Sequence, residues 1–239
     1  VGLLDSFTRR RAEKRAERAR TAVAAEMSVW QEQMDRVDGM LTIVRDCAAG
    51  RTAEHFTDRS DYGFMLEGDE FAVAYLQQVA YLENVRAPSR YSGGYGGVSF
   101  PLFGGVRLST GRIGGKRIPG EESTTITDEG NALVTNSRIM FVGSKRTHEW
   151  EFDKMVSASH DAKGWTAFAM KGRGKPTGLG YGESVATEVQ FRLELAAALA
   201  LGSLDRYASE LEVEKARLAA TRPAPPPPSP PPPPPPLAP

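Results

Sequence analysis

Three histidines, His55, His148 and His160, and one cysteine, Cys47, are the side chains of this 239-residue chain best suited to metal or nucleophilic chemistry. No histidine has a second ligand at the i, i+4 spacing that aims two imidazoles from one helix face. A lone cysteine excludes an internal disulfide and any multi-cysteine zinc site. Ser159-His160-Asp161, with Ser157 close by, carries the residue types of a hydrolase. Neighbours on a turn do not converge as a catalytic triad does, and no G-x-S-x-G elbow is present. A hydrolase centred there requires the His160 ring to meet a serine hydroxyl. Two glycine-rich segments invite a phosphate-loop reading, but GRIGGKR (111–117) lacks the glycine needed at Thr110 and has Arg117 where Ser or Thr is required. In GRGKPTG (172–178), Lys175 is followed by Pro176. Both read as turns. The chain is therefore expected to be non-enzymatic, with no metal or cofactor.

Charge narrows the partners. Thirty basic residues balance thirty acidic ones, so no global field draws the chain to nucleic acid. Lys145, Arg146, Arg173 and Lys175 are scattered among turns rather than arrayed with aromatics on one sheet face. The exception is RRRAEKRAERAR (9–20), with seven Lys or Arg against two Glu. It reads either as a solvated helix start with intrahelical ion pairs or as a patch for an anionic surface. The longest apolar run, Leu195 to Leu201, falls far short of the ~20 residues that span a bilayer. No signal-peptide core follows the basic start. A cytoplasmic location is expected, at most peripheral to the inner face of the membrane.

The elements that carry these residues change character along the chain. Residues 1–49 are rich in Ala, Glu and Arg, hold only Gly2 and Gly39 as helix breakers, and read as a helix with a basic start. Gly39 marks a place where that helix can break. Val23, Met27, Trp30, Met34, Val37, Leu41 and Val44 recur at 4-3 spacing, a heptad seam in its second half. The seam serves either self-association or packing on the chain's own domain. Residues 50–68 have no period and read as a linker.

From Glu70 the period becomes two. Phe71, Val73 and Tyr75 alternate, then Val79, Tyr81 and Val85. Ten glycines between Ser92 and Gly120 point to short strands with tight turns. Ala132–Thr135 and Arg138–Val142 predict a hairpin, with Asn136 taking the left-handed backbone of the reversal. Trp150 and Phe152 then alternate with Glu149, Glu151 and Asp153 on a third, half-buried strand, and a fourth follows at Trp165–Lys171. Residues 189–195 fit either strand or helix spacing. The Ala-rich continuation favours helix, from Ser184 to about Ala200, with an extension over 203–222. The tail, 223–239, has 13 prolines in 17 residues. It reads as a disordered or polyproline segment, either solvated or docking on a polyproline-reading domain.

The stretch GNALVTNSRIMFVG (130–143) resembles the central hairpin of GRAM and related bacterial pleckstrin-homology-like (PH-like) domains, and HEWEFDKMVS (148–157) is similar to the strand that follows. The resemblance implies an α+β fold over residues 69–202: a bent antiparallel barrel of about seven strands closed by a C-terminal helix, here flanked by long helices. It also implies a module that binds phosphoinositides or protein partners without catalysis. Arg138, Lys145 and Arg146 match positions where a headgroup contact would fall, and Arg9, Arg10, Arg11, Lys14 and Arg15 would have to assist. The expected function is an interaction or scaffold module that binds a protein partner through the PH-like domain, the proline-rich tail or both. The alternative is a peripheral adaptor on anionic lipid.

Overall fold

In the computed structural model the described residues are 2–56, 62–83, 97–102, 106–111 and 125–225, with backbone alone at 2–12, 97–102 and 106–111. The chain divides into two compact units. One holds the two chain ends, up to Gly39 and from Val213. The other runs from Met40 to Glu212.

Helix α1 (Gly2–Ala48) is the longest element and passes through Gly39 without a break. Nothing lies within 4 Å of where a Gly39 side chain would begin, so the glycine costs only its intrinsic propensity, about 1 kcal/mol. Good helix formers on both sides carry the helix across. In the first unit α1 packs on α4 (Leu204–Ala220). The Trp30 indole Nε1 donates to the Leu218 carbonyl at 2.9 Å, the Arg222 guanidinium lies 5.4 Å from the Trp30 ring centroid, and Lys215 pairs with Asp38. Trp30 and Met34 are half-buried. One side of the heptad seam thus has a partner within the same chain.

In the second unit the seam continues into the core. Val37, which closes the first unit's stretch, is already buried, and Leu41, Val44 and then Cys47 follow. Arg45 pairs with Glu212 of α4. The connection after α1 holds a short helix, α2 (Thr52–His55), and buries Phe56 and Phe64. It is a packed connection despite its aperiodic sequence.

The strands are β1 (Ala72–Glu83), β2 (Gly97–Leu102), β3 (Val106–Gly111), β4 (Thr125–Thr135), β5 (Arg138–Gly143), β6 (Thr147–Glu151), β7 (Met155–Asp161), β8 (Trp165–Met170) and β9 (Thr177–Gly180). Seven form one antiparallel sheet in the order β6-β5-β4-β1-β9-β8-β7. Strands β2 and β3 pair separately as a hairpin, and β3 runs beside β7. The sheet curls. Trp150 on β6 reaches across to donate to Thr177 Oγ1 on β9 at 2.9 Å and packs 5.1 Å from Phe168 on β8. Trp150, Tyr81, Phe141, Phe168 and Ile139 fill the concave side and are almost wholly buried, while Leu133 packs on the other face with Met140 and Phe64.

The expected hairpin is β4–β5, and its glycines have a steric reason. Gly130 faces Gly143 across the ladder, and a Cβ on Gly130 would collide with the Val142 carbonyl. The reversal itself differs from expectation. Among the described non-glycine residues only Tyr62 and Gln78 have positive φ, so Asn136 does not take the left-handed backbone. Its side chain is what the turn uses: Oδ1 accepts from the Phe71 amide at 2.9 Å. The bend is made by Thr135, whose Oγ1 accepts from the amides of Ser137 at 3.2 Å and Arg138 at 3.0 Å.

Strand β7 stands between the expected third and fourth strands, so His160 lies in a strand rather than a turn. Helix α3 (Ala186–Ala200) takes up the ambiguous stretch 189–195. Residues 193–198 are buried on every side, so the sequence there carries no polar face to mark a helical period. Gly202, at φ 61°, separates α3 from α4. Val85, most of the glycine-dense stretch and the proline-rich tail from 226 lie outside the described residues.

Candidate functional site

Arg138 opens β5 at the foot of the hairpin, and acidic groups surround it. Nε donates to Glu70 Oε1 at 3.0 Å; Nη1 donates to Glu67 at 3.1 Å and Glu149 at 3.0 Å; Nη2 donates to Glu70 Oε2 at 2.9 Å and the Met65 carbonyl at 2.9 Å. All five N–H groups of a guanidinium are thereby used. Glu70, with a side chain 2% exposed, also accepts from Thr135 at 2.5 Å and Ser137 at 2.6 Å. Burial works to raise the Glu70 pKa, but hydrogen bonds from Arg138, Ser137 and Thr135 prevail and hold it below the usual carboxylate value.

The next turn, Ser144–Arg146, is built around Asp128. Its carboxylate accepts from the Lys145 amide at 2.9 Å, the Arg146 amide at 3.0 Å and the Ser144 hydroxyl at 2.9 Å. Burial opposes the charge, yet these bonds and one from the Glu129 amide bring the Asp128 pKa down to about 2. The Arg146 guanidinium pairs with Glu83 and lies 4.9 Å from the Tyr81 ring centroid. Lys145 stays exposed, with Nζ 3.3 Å from the Thr127 carbonyl. Arg138, at the β4–β5 turn, and Lys145 and Arg146, at the β5–β6 turn, therefore lie at opposite ends of β5, and Arg138 and Arg146 are tied to carboxylates. On α1, Lys14 and Arg15 are exposed. The side chains of Arg9, Arg10 and Arg11 lie outside the described residues.

The three histidines are dispersed. His55 meets Asp46 at 2.8 Å. His148 packs against Tyr81 and Trp150; its Nε2 accepts from the Arg173 guanidinium, which leaves Nδ1 to donate to the Tyr81 hydroxyl at 3.2 Å. Burial, with Arg173 and Arg146 nearby, lowers the His148 pKa to about 4. The His160 ring meets the Thr166 hydroxyl at 2.7 Å, not Ser157 or Ser159. Thr166 in turn bonds Tyr181 at 2.7 Å. The other ring nitrogen lies 3.5 Å from Glu194 Oε1 on α3, and Tyr207 of α4 donates to Glu194 Oε2 at 2.7 Å. This chain of polar groups ties β7 and β8 to both C-terminal helices inside the core. Burial lowers the His160 pKa to about 3 and raises that of Glu194 to about 7. Position-by-position reading missed the network because its members are far apart in sequence.

Two grooves flank β1. The larger, about 940 Å³, crosses the outer face of β1, β4 and β8 beside Leu82, Ile126 and Trp165. The smaller, about 400 Å³, follows residues 72–76 of β1 and is walled by Phe56, Tyr62, Glu188 and Arg192. Tyr62 stacks on Tyr75 at 4.2 Å, and the Arg192 guanidinium sits 5.8 Å from the Phe56 ring centroid while bonding Glu188 at 2.7 Å. Phe56 and Tyr62 belong to the aperiodic connection. The aromatics of that segment, Phe56, Tyr62 and Phe64, were the available signal.

Among the described residues no group of three His, Cys, Asp or Glu side chains converges as a metal site, and no helix is long and apolar enough to cross a membrane. No family model, curated protein or solved structure matches the chain.

Proposed function

We propose that the chain is a non-catalytic interaction module in which a PH-like, GRAM-like domain binds a protein partner, with the proline-rich tail as a second docking element. The observation that carries this reading is the engagement of all five Arg138 donors by Glu67, Glu70, Glu149 and the Met65 carbonyl. At the position the resemblance marks for a headgroup, an anion would have to displace three carboxylates, of which Glu70 is buried. The aromatic-walled groove beside β1 offers a protein ligand a more suitable surface. Seven antiparallel strands followed by a helix support the PH-like part of the reading.

The test is affinity purification from source-cell extract with the full chain and with a chain ending at Arg222. The expected result is a partner held by both, with a second set lost on truncation. No specific partner for either chain overturns the reading.

A second reading, a peripheral adaptor on anionic lipid, is favoured by the exposed Lys14 and Arg15 of α1 and by Lys145. Each cation near an anionic leaflet contributes only about 1 kcal/mol. Co-sedimentation with phosphatidylserine vesicles at low salt, with and without residues 1–20, decides it: absence of binding by the full chain ends this alternative.

A further inference from the structure

Strand β1 is paired on both sides for only a third of its length. Its residues from Ala72 to Glu83 pair with β4, whereas β9 meets it only at Ala80–Glu83. Among the described residues, 72–79 have no strand on their second edge. An open edge presents a row of backbone N–H and C=O groups that invites another chain, and edges not meant for pairing are usually blunted by charge. The contrast with β6, at the end of the sheet, is direct: Thr147–Glu151 places His148, Glu149 and Glu151 on its edge strand. The β1 run Ala72-Val73-Ala74-Tyr75-Leu76 carries no charge at all, and the smaller groove lies along it.

That groove has the dimensions and chemistry of a slot for extended chain. Five residues of strand measure ~17 Å. The facing wall is the first turns of α3, through Glu188, Val189 and Arg192, and the aromatic rings of Phe56 and Tyr62 flank it. Its polar side chains are already matched: Arg192 pairs with Glu188, and the His55 ring meets Asp46 at 2.8 Å. A bare anion gains little there. An extended backbone is different, because its donors and acceptors alternate at the repeat of the edge.

Resting on the reading of the chain as a partner-binding module, we infer that the edge of β1 at 72–76 takes an extended, proline-free peptide segment of a partner protein as an added strand between β1 and α3. Backbone bonds hold the segment, and alternate side chains reach the aromatic wall. Proline is excluded at ladder positions because it lacks the amide donor, which separates this ligand from the polyproline type.

The test uses the full chain and a phage-displayed library of nine-residue peptides. The strongest selected peptide is synthesised and N-methylated at one amide at a time. Strand addition expects binding to weaken tenfold or more at every second position, with little change between them. It also expects the amides of 72–76 to exchange more slowly with peptide bound, and Glu188→Trp, at an exposed site on the wall, to abolish binding without altering the melting temperature. No selected peptide, N-methylation without alternation, or protection confined to other strands overturns the inference. Loss of the inference is separable from loss of the broader reading. A partner purified from extract and retained by Glu188→Trp overturns strand addition alone, whereas no partner at all overturns both.

Discussion

Arg138 and Glu70 bind each other through two hydrogen bonds, of 3.0 and 2.9 Å, in a place where the carboxylate is almost sealed from water. Removing one member of such a pair leaves the other charged, buried and unmatched, which costs about 3–5 kcal/mol. Arg138→Ala is therefore expected to lower stability by that amount in urea unfolding. Arg138→Lys should recover only part of the loss, since an ammonium cannot repeat the forked contact to Glu70 while also reaching Glu67, Glu149 and the Met65 carbonyl. A loss below about 1 kcal/mol for Arg138→Ala would mark the cluster as an ordinary surface ion pair. The hairpin that carries Arg138 was readable because alternating large apolar residues surround a short polar reversal. The device that closes the reversal was not. Thr135 and Asn136 act through side-chain oxygens on amides that include Phe71, far away in sequence, and a residue type alone does not say whether its backbone or its side chain is being used.

Among the elements, the buried contact of His160 with Glu194, between the sheet and the C-terminal helices, has its own pH signature. Glu194 on α3 has a folded pKa raised from 4.5 to about 7. Its contribution is complete below 4.5 and is lost as pH rises through 7, because the folded state holds a proton that the unfolded state releases. His160 on β7 is shifted the other way, from 6.5 to about 3. Its contribution is complete above 6.5 and is lost as pH falls through 3. The opposing slopes offset one another between 4.5 and 6.5, so stability should be flat there and decline on both sides. Burial and then the charge of Glu210 on α4 keep Glu194 protonated, whereas the hydrogen bond from Tyr207 works the other way. Glu194→Gln should remove the decline that begins near pH 6.5 and ends once the folded pKa of about 7 is passed, and should turn the flat stretch between 4.5 and 6.5 into a rise with pH, read as the urea midpoint. An unchanged slope would show that the carboxyl does not titrate there.

The paired helices make a second prediction at this scale. Trp30 anchors α1 to α4 through the Leu218 carbonyl and Arg222, so Trp30→Glu should lower the melting temperature by several degrees, at roughly 2–4 °C per kcal/mol for a chain of this size. A lower oligomeric state with an unchanged melting temperature would instead assign the seam to self-association. The elements that escaped sequence reading failed for physical reasons. In β7 the buried positions are Met155, Ala158 and His160, too small or too polar to mark a period of two. Helix α3 was legible from its Ala-rich continuation, although burial of 193–198 removes the polar face that marks a helical period. The seam on α1 was legible because one face is wet and the other is not.

At the scale of the whole molecule, the mixed helix-and-strand class, the antiparallel meander and the long first helix follow from patterns spread over many residues, which a single exception does not obscure; the count of about seven strands was an implication of the resemblance. The candidate binding groove follows from no such pattern. It exists because β9 stops short beside β1 and because Phe56 and Tyr62 are brought to that edge by the connection between α1 and the sheet. Strand length and loop path are tertiary outcomes, and the uncharged run at 72–76 reads in sequence like any interior strand.

Cys47 offers a means of watching the molecule open. Its thiol is 5% exposed, and burial pushes its pKa upward, with a hydrogen bond from Thr52 only partly offsetting the effect. Thiol reagents attack the thiolate, so maleimide should modify the native chain only as fast as the last turns of α1 lift from the core. Being the chain's sole sulfhydryl, it yields an unambiguous mass shift. Labelling rate thereby becomes a clock for local unfolding that needs no engineered reporter.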